Sequence, residues 1–303
     1  MTEDVSYHVD GELVPAEEAT VPVRDRGFAY GDAAFETLRA YGGEVFAWDA
    51  HADRLERTCE TLGFAEAIPP RWDLRERIDA TLAANDLADA YVKLSITRGV
   101  QPGKLTPEPR VDPTIVVQVA ELPRGGVDGP PVHDGPATVA TVDRRRIPDA
   151  AIPADAKTHN YLNGVLARLD LRRGGEEGGA GSEDEPPADE ALMRSAGGSL
   201  TEGATSNLFF VADGVLHTPS TDLPLLPGVT RSIVLELARA EGLPVEEGTY
   251  RPERLRSAEE AFLTNTTWEI RPVATVDGES VGSGPVTELL GRLYDRRVER
   301  TCY

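Results

Sequence analysis

The chain has 303 residues, a formal net charge of −21 and a pI near 4.6. This acidity argues against binding to nucleic acids or anionic membranes, and the length is sufficient for two lobes. The two cysteines are too few for a disulfide framework or a cysteine-based metal site. The five histidines are scattered without the spacing of metal ligands.

The acidity is accompanied by only three lysines. We interpret this as adaptation to high salt, with a binding surface for a cationic partner as the alternative. The first residues are acidic, so we expect no signal peptide. No apolar run is long enough to span a bilayer, so the sequence predicts a cytoplasmic protein that binds no membrane.

Residues 1–122 are predicted to form an α+β lobe. The turn signal Asp10-Gly11 predicts a β-hairpin over 6–15. Asp49 can cap an amphipathic helix, and a second helix is expected over 72–85.

The last two strands of this lobe are predicted from their side-chain patterns. In residues 90–100, Val92, Leu94 and Ile96 share one face. The opposite face carries Tyr91 and Lys93 and is either exposed to solvent or lines a cavity. Residues 114–122 are largely apolar, which predicts a strand buried on both sides.

The rest of the chain divides by composition. A Pro- and Gly-rich stretch, 123–137, predicts a linker, and 138–303 are predicted to form a second α+β lobe across a cleft. Residues 172–190 are acidic and Gly-rich, which predicts a mobile surface loop without a catalytic role. Elements predicted in this lobe are a strand pair around Gly197-Gly198, a hairpin at Asp213-Gly214, a helix over 232–242 and strands over 261–266 and 269–278.

Lys157 is the most informative single residue. A lysine in so arginine-rich a chain suggests a task that a guanidinium cannot perform, such as forming a Schiff base. Lys157 stands between a polar loop and an apolar-patterned helix, which places its amine at the mouth of that helix. Taken alone, an ordinary surface lysine is the simpler interpretation.

Four further features would complete a pyridoxal phosphate site. Glu202 could hold the ring nitrogen protonated, although a lone Glu in a turn is usually solvated. The sequence LPGVTRSIV offers the amides of Val229 and Thr230 to a phosphate, with a plain capped helix as the alternative. Thr266 could add a hydroxyl and Arg54 a positive charge.

These residues carry a family resemblance. The strings DRGFAYGDAAFETLR, HADRL, AKTHNYLNGVLAR, TEGATSNLF, LPGVTR and FLTNTTWEIRPV resemble, in order, the class IV aminotransferases, the fold type IV pyridoxal phosphate enzymes. The resemblance covers nearly the whole chain except 172–190. It implies a two-lobed α+β fold with a smaller N-terminal lobe, a barrel-like sheet in the C-terminal lobe and the cofactor in the cleft.

The resemblance also implies roles for matching positions. Lys157 would be the catalytic Schiff-base lysine and Glu202 the partner of the pyridine nitrogen. The other implied cofactor contacts are Arg54, Tyr161, Leu226, Val229, Thr230 and Thr266. The implied substrate contacts are Tyr30, Phe35, Tyr91, Lys93 and Thr267. Family members are homodimers whose sites borrow residues from the neighbouring first lobe.

Two departures bear on the reaction. D-amino acid aminotransferases carry an arginine and a histidine where this chain has Gly103 and Leu105. Branched-chain enzymes have FEG where this chain has Phe35-Glu36-Thr37, and their tyrosine follows the lysine at a longer spacing than Tyr161 does. Lys93 resembles a strand lysine of the aminodeoxychorismate lyases.

We therefore expect an aminodeoxychorismate lyase that releases pyruvate and 4-aminobenzoate, a step of folate-type biosynthesis. A transaminase acting on amino acids with 2-oxoglutarate is the main alternative, of the branched-chain type before the D-amino acid type. A relative that uses no cofactor and only binds a small acid or a partner chain is the third reading.

Overall fold

The computed structural model describes residues 5–124, 129–176 and 188–303. They form two compact units, of which the first comprises Met1–Gly125, Ala156–Asn160 and Val298–Tyr303, and the second comprises Gly126–Asp155 and Tyr161–Arg297. The segment around Lys157 therefore groups with the first unit, whereas the sequence placed it in the second lobe. Residues 125–128 of the predicted linker lie outside the described residues.

The first unit contains an antiparallel six-stranded sheet in the order β2-β1-β6-β5-β3-β4. The predicted hairpin is confirmed, with Asp10 and Gly11 at positive φ between its strands. The strands are β1 Ser6–Val9, β2 Glu12–Pro15, β3 Ala33–Tyr41, β4 Glu44–Val45, β5 Ala90–Thr97 and β6 Ile115–Glu121.

Three α-helices accompany this sheet: α1 Arg26–Tyr30, α2 Trp48–Leu62 and α3 Arg71–Ala84, with a 3₁₀ turn at Ala65–Ala67. Val92, Leu94 and Ile96 of β5 pack into one apolar core with Leu55 of α2 and Ile78 of α3. The predicted alternation along β5 is thus confirmed, because one side of the sheet faces the helices.

The second unit contains a nine-stranded mixed sheet in the order β12-β11-β10-β13-β14-β7-β8-β9, with β15 paired to β14. Its strands are β7 Ala137–Arg145, β8 Glu190–Arg194, β9 Leu200–Gly203, β10 Asn207–Ala212, β11 Val215–Pro219, β12 Val245–Gly248, β13 Glu260–Asn265, β14 Glu269–Val276 and β15 Glu279–Ser280. The sheet curls towards a barrel, because Leu200 of β9 donates its N–H to the carbonyl of Tyr250, just beyond β12 at the opposite end (2.8 Å).

The helices of the second half are α4 Leu162–Glu176, α5 Val229–Ala240, α6 Pro252–Arg256 and α7 Pro285–Cys302. Glu260 of β13 fixes the start of α7 by accepting hydrogen bonds from the amides of Val286 and Thr287 (3.1 and 2.7 Å). Strands and helices mix in each unit, which confirms the predicted α+β class.

Three local expectations were wrong. The α2 helix begins at Trp48, so Asp49 lies in its first turn and no side chain caps it. The β6 strand is buried on one side only, because it alternates Val117 and Val119 in the core with half-exposed residues. The bounds of the predicted loop 172–190 overlap two described elements, since α4 runs to Glu176 and β8 begins at Glu190; residues 177–187 lie outside the described part.

Within the described ranges, no helix is both long enough and apolar enough to cross a membrane.

Candidate active site

Lys157 lies in an extended segment beside β3, and the helix α4 begins only at Leu162. The predicted position of its amine at the mouth of a helix stays a prediction. Its backbone is held on both sides: its N–H donates to Oγ1 of Thr58 (3.0 Å), and its carbonyl accepts from the N–H of Phe35 (3.0 Å). The Nζ atom lies 4.4 Å from the centroid of the Phe35 ring.

Arg54 of α2 is buried against Glu36 of β3. Its Nε and Nη2 atoms donate to the Glu36 carboxylate at 2.8 and 2.6 Å, and Nδ1 of His51 lies 2.8 Å from the same group. Burial disfavours the charged form of Glu36, but the charge and hydrogen bonds of Arg54 and the hydrogen bond with His51 outweigh it and lower the pKa to about 2. Burial lowers the pKa of His51, so its imidazole is neutral near pH 7.

The polar face of β5 continues this region. Ser95 stands opposite Phe35, and Lys93 stands opposite Thr37 on β3. The Lys93 amine lies 5.3 Å from the centroid of the Phe35 ring. Burial, and then the charge of Lys157, lower the pKa of Lys93.

His159 packs edge-on against Phe35, and its Nε2 lies 3.2 Å from Oγ of Ser95. Burial, followed by the charge of Lys93, lowers the pKa of His159 to about 4. The imidazole is therefore neutral at pH 7. Two amines and a neutral imidazole therefore lie around the Phe35 ring, and this arrangement suits an anionic ligand.

Tyr91 and Tyr30 complete the predicted substrate set in this unit. Tyr91 lies on the same face of β5, hydrogen bonded to Thr37, and burial raises its pKa. Tyr30 ends α1, where the Arg26 guanidinium lies 4.9 Å from its ring centroid. Their contacts with substrate stay predictions.

In the second unit, Glu202 is a buried residue of β9 rather than a turn residue. Its Oε1 accepts a hydrogen bond from Nε of Arg146 (2.6 Å), and its Oε2 accepts one from the amide of Leu226 (2.9 Å). Nη1 of Arg146 also donates to Asn163 of α4 (3.3 Å). The carboxylate is therefore oriented by two donors, and the arginine beside it favours its charged form.

The start of α5 fits an anionic group. Gly228 occupies the N-cap position, and no described side chain caps the helix. The first-turn amides of Val229 and Thr230 carry the positive end of the helix dipole. A Cβ atom on Gly228 would collide with Oδ1 of Asn207, whose Nδ2 donates to the carbonyl of Leu226 (2.9 Å). This tightly built start would accept a phosphate.

The remaining predicted residues of this unit lie at the ends of two elements. Thr266 and Thr267 form the turn after β13, where Oδ1 of Asn265 accepts from the amides of Thr267 and Trp268 (3.0 and 2.7 Å). Tyr161 is half-buried just before α4. Their roles, like those of Arg54 and Leu226, remain to be tested.

We did not expect Glu36 as the partner of Arg54, or Arg146 as the partner of Glu202, from the sequence. A signal for Glu36 existed: it shares the core-facing register of β3 with Ala34 and Leu38, where an acidic residue requires a cation. No comparable signal existed for Arg146, one of three consecutive arginines.

Comparisons with known proteins find relatives over most of the chain. Residues 33–276 match the family described as "Amino-transferase class IV". A protein of Methanocaldococcus jannaschii named "Putative branched-chain-amino-acid aminotransferase" is 34% identical over 96% of this chain and 95% of its own length. The D-alanine aminotransferase of Listeria monocytogenes is 30% identical, covering 97% and 96%, and the aminodeoxychorismate lyase of Bacillus subtilis is 30% identical, covering 98% and 96%.

Among solved structures, the branched-chain aminotransferase of Thermoproteus uzoniensis with norvaline superimposes with a TM-score of 0.84 at 29% identity, covering 97% of this chain and 94% of the other. The fold type IV architecture expected from the sequence is thereby confirmed. The match spans most of the chain and includes every predicted site residue except Tyr30. The chain belongs to the class IV aminotransferase family, whose members are enzymes that use pyridoxal phosphate.

Proposed function

We propose that this enzyme is an aminodeoxychorismate lyase, which converts 4-amino-4-deoxychorismate into 4-aminobenzoate and pyruvate. The proposal rests on the surroundings of the Lys93 amine. Its amine is partly buried beside Phe35 and Lys157, and no carboxylate among the described residues pairs with it. A desolvated cation without an internal anion is stabilised by an anion from the substrate. The substrate of the lyase offers two carboxylates, one of them remote from the reacting carbon.

We propose cofactor contacts among the residues of the first unit and among those of the second. In the first, Lys157 would supply the amine that binds pyridoxal phosphate, and Arg54 a positive charge for its phosphate. In the second, Glu202 would hold the ring nitrogen, Leu226 would pack against the ring, and the amides of Val229 and Thr230 would receive the phosphate. Thr266 would add a hydroxyl, and Tyr161 would contact the ring.

Bound pyridoxal phosphate supplies a ring that draws electrons from the substrate carbon bearing nitrogen. Residues of the chain then transfer the protons. The Lys157 amine removes the proton from that carbon. The C–O bond to the enolpyruvyl group breaks, the leaving group takes a proton and departs as pyruvate, and the carbon ring becomes aromatic as 4-aminobenzoate. Lys93 and the other proposed substrate contacts, Tyr30, Phe35, Tyr91 and Thr267, orient the substrate for this step.

A transaminase that passes the amino group to 2-oxoglutarate is the second candidate. It is favoured by the 34% identity to the archaeal protein named for branched-chain amino acids. In that reaction the same lysine would return the proton at a different carbon, so the residues that touch the cofactor do not separate the two activities.

The deciding assay follows pyruvate release from 4-amino-4-deoxychorismate beside keto-acid release from leucine, D-alanine and glutamate. We expect pyruvate release to dominate. Leucine turnover without pyruvate release would replace the lyase with the transaminase. Lys157→Ala serves as the control: it should abolish both activities and the yellow colour of the loaded protein. A colourless wild-type protein that pyridoxal phosphate cannot restore would instead support the cofactor-free reading.

We also propose a homodimer, supported by one apolar surface of the first unit. Val23, Phe28 and Leu105 are 78%, 73% and 79% exposed. Arg26 joins their two segments, because its Nη1 and Nη2 donate to the carbonyls of Lys104 and Leu105 (2.7 and 2.9 Å). An exposed apolar surface of this kind is typical of an interface. Light scattering should find a dimer that Phe28→Glu dissociates and Trp72→Glu, at another exposed aromatic residue, does not.

A further inference from the structure

We propose that Thr58 is a positioning residue that fixes the backbone of Lys157 to helix α2. This inference rests on the proposed role of Lys157 but concerns a residue outside every set named above. Thr58 is buried, and its single hydroxyl makes two hydrogen bonds. Oγ1 donates to the carbonyl of Arg54 (2.9 Å) and accepts from the amide of Lys157 (3.0 Å).

The two bonds are compatible because a hydroxyl has one proton to donate and lone pairs to accept with. Donation to the carbonyl four residues earlier is a common arrangement for threonine in a helix, and it orients the lone pairs of Oγ1 outwards. The Lys157 amide therefore has a hydrogen-bond acceptor, although Lys157 lies outside the helices. Removing the Thr58 hydroxyl would take this hydrogen bond away from a partly buried amide.

The opposite side of Lys157 is fixed by β3. The amide of Phe35 donates to the Lys157 carbonyl (3.0 Å), and the amide of His159 donates to the carbonyl of Ala33 (2.9 Å). Thr58 is therefore a contact that resists pivoting of the segment about β3. Because Thr58 also bonds to the backbone of Arg54, it links the Lys157 backbone to the Arg54–Glu36 pair. This link keeps the distance between Lys157 and Arg54 constant. Side chains that must meet the same ligand require such a second layer of support.

The test is hydrogen exchange at the Lys157 amide in the protein without pyridoxal phosphate, followed by mass spectrometry or NMR. Thr58→Val keeps the shape and removes the hydroxyl, whereas Thr58→Ser keeps the hydroxyl. Thr81 of α3 supplies a matched control, because it is buried and donates in the same way to the carbonyl of Arg77 (2.6 Å). We expect Thr58→Val to speed exchange at Lys157 about fivefold or more, and Thr58→Ser and Thr81→Val to leave it within about twofold.

Unchanged exchange at Lys157 in Thr58→Val would overturn the inference, and so would equal acceleration in Thr81→Val, since that would indicate general softening. If Thr58→Val does not fold, Thr58→Ala takes its place with the same expected outcomes. A second readout is the titration of each variant with pyridoxal phosphate by visible absorption: Thr58→Val should bind more weakly and Thr58→Ser as the wild type does. If no variant binds the cofactor but the exchange pattern holds, the proposed function fails while the positioning role of Thr58 stands.

Discussion

Arg54 and Glu36 form a buried ion pair in which two nitrogens of the guanidinium face one carboxylate, at 2.8 and 2.6 Å. Both residues are almost fully buried, at 4% and 0% exposure. Since His51 contacts the same carboxylate, Glu36 joins two residues that lie three positions apart on α2. The guanidinium is therefore held in one orientation, which would reduce the cost of ordering it if the proposed phosphate binds there.

Glu36→Gln should destabilise the fold strongly, because it removes the carboxylate charge from a buried ion pair with Arg54. We expect the free energy of unfolding in urea at pH 7 to fall by about 3 kcal/mol or more. Asp73→Asn is the control: it breaks the more exposed Arg77–Asp73 pair (2.7 Å) and should cost below about 1 kcal/mol. Equal losses in the two variants would show that the buried pair has no special weight.

The Glu36–Arg54 pair should also make the free energy of unfolding depend on pH. Because the folded pKa of about 2 lies below the ordinary value of 4.5, the pair adds stability above pH 4.5. That contribution is lost as the pH falls from 4.5 towards 2. The stability difference between wild type and Glu36→Gln should therefore shrink over this window when unfolding is measured at each pH.

Local patterns in the sequence were sufficient for the faces of β5 and for two hairpin turns. In β5, the alternation of Val92 and Leu94 with Lys93 and Ser95 distinguishes the core side from the polar side, because side chains in a strand have a period of two. The turn signals at Asp10-Gly11 and Asp213-Gly214 were also sufficient, since their residues adopt positive φ.

Contacts between residues far apart in the sequence could not be predicted from local patterns. Lys157 bonds to Phe35 and Thr58, which are 122 and 99 positions away. Its neighbours in sequence are a polar loop and a helix, so local reasoning placed it at the helix. Arg146 illustrates the same limit, because its partner Glu202 lies 56 positions away in sequence.

His159 should lower the free energy of unfolding as the pH is reduced from 6.5 to 4. Burial and the charge of Lys93 lower its folded pKa to about 4, with Asp25 opposing weakly, so the unfolded chain binds the proton first as the pH falls. His159→Gln cannot titrate but can still hydrogen bond to Ser95. Between pH 7 and pH 4.5 the wild type should therefore lose about 1–2 kcal/mol more stability than the variant. Parallel losses measured by urea unfolding would contradict the assigned pKa.

Gly228→Ala should weaken cofactor binding by disturbing the start of α5. The added Cβ would collide with Oδ1 of Asn207 and so disturb the bond from Asn207 to Leu226. We expect the dissociation constant for pyridoxal phosphate to rise about tenfold, a loss of about 1.4 kcal/mol. Gly291→Ala is the control, because its Cβ would meet no atom within 4 Å inside α7 and should stabilise the helix. If both variants bind like the wild type, the start of α5 does not receive the phosphate.

Lys93→Gln should raise the KM for 4-amino-4-deoxychorismate while affecting kcat less. The change removes a partly buried charge next to Phe35 and leaves the backbone bonds of β5 with β3 intact. A lost charge-assisted hydrogen bond corresponds to about a tenfold rise in KM. Lys104→Gln is a suitable control, since that exposed lysine contributes its backbone carbonyl, not its amine, to the bond with Arg26. If Lys93→Gln leaves the KM for the dicarboxylate unchanged but raises the KM for leucine, the pocket serves amino-acid transamination and the lyase assignment is wrong.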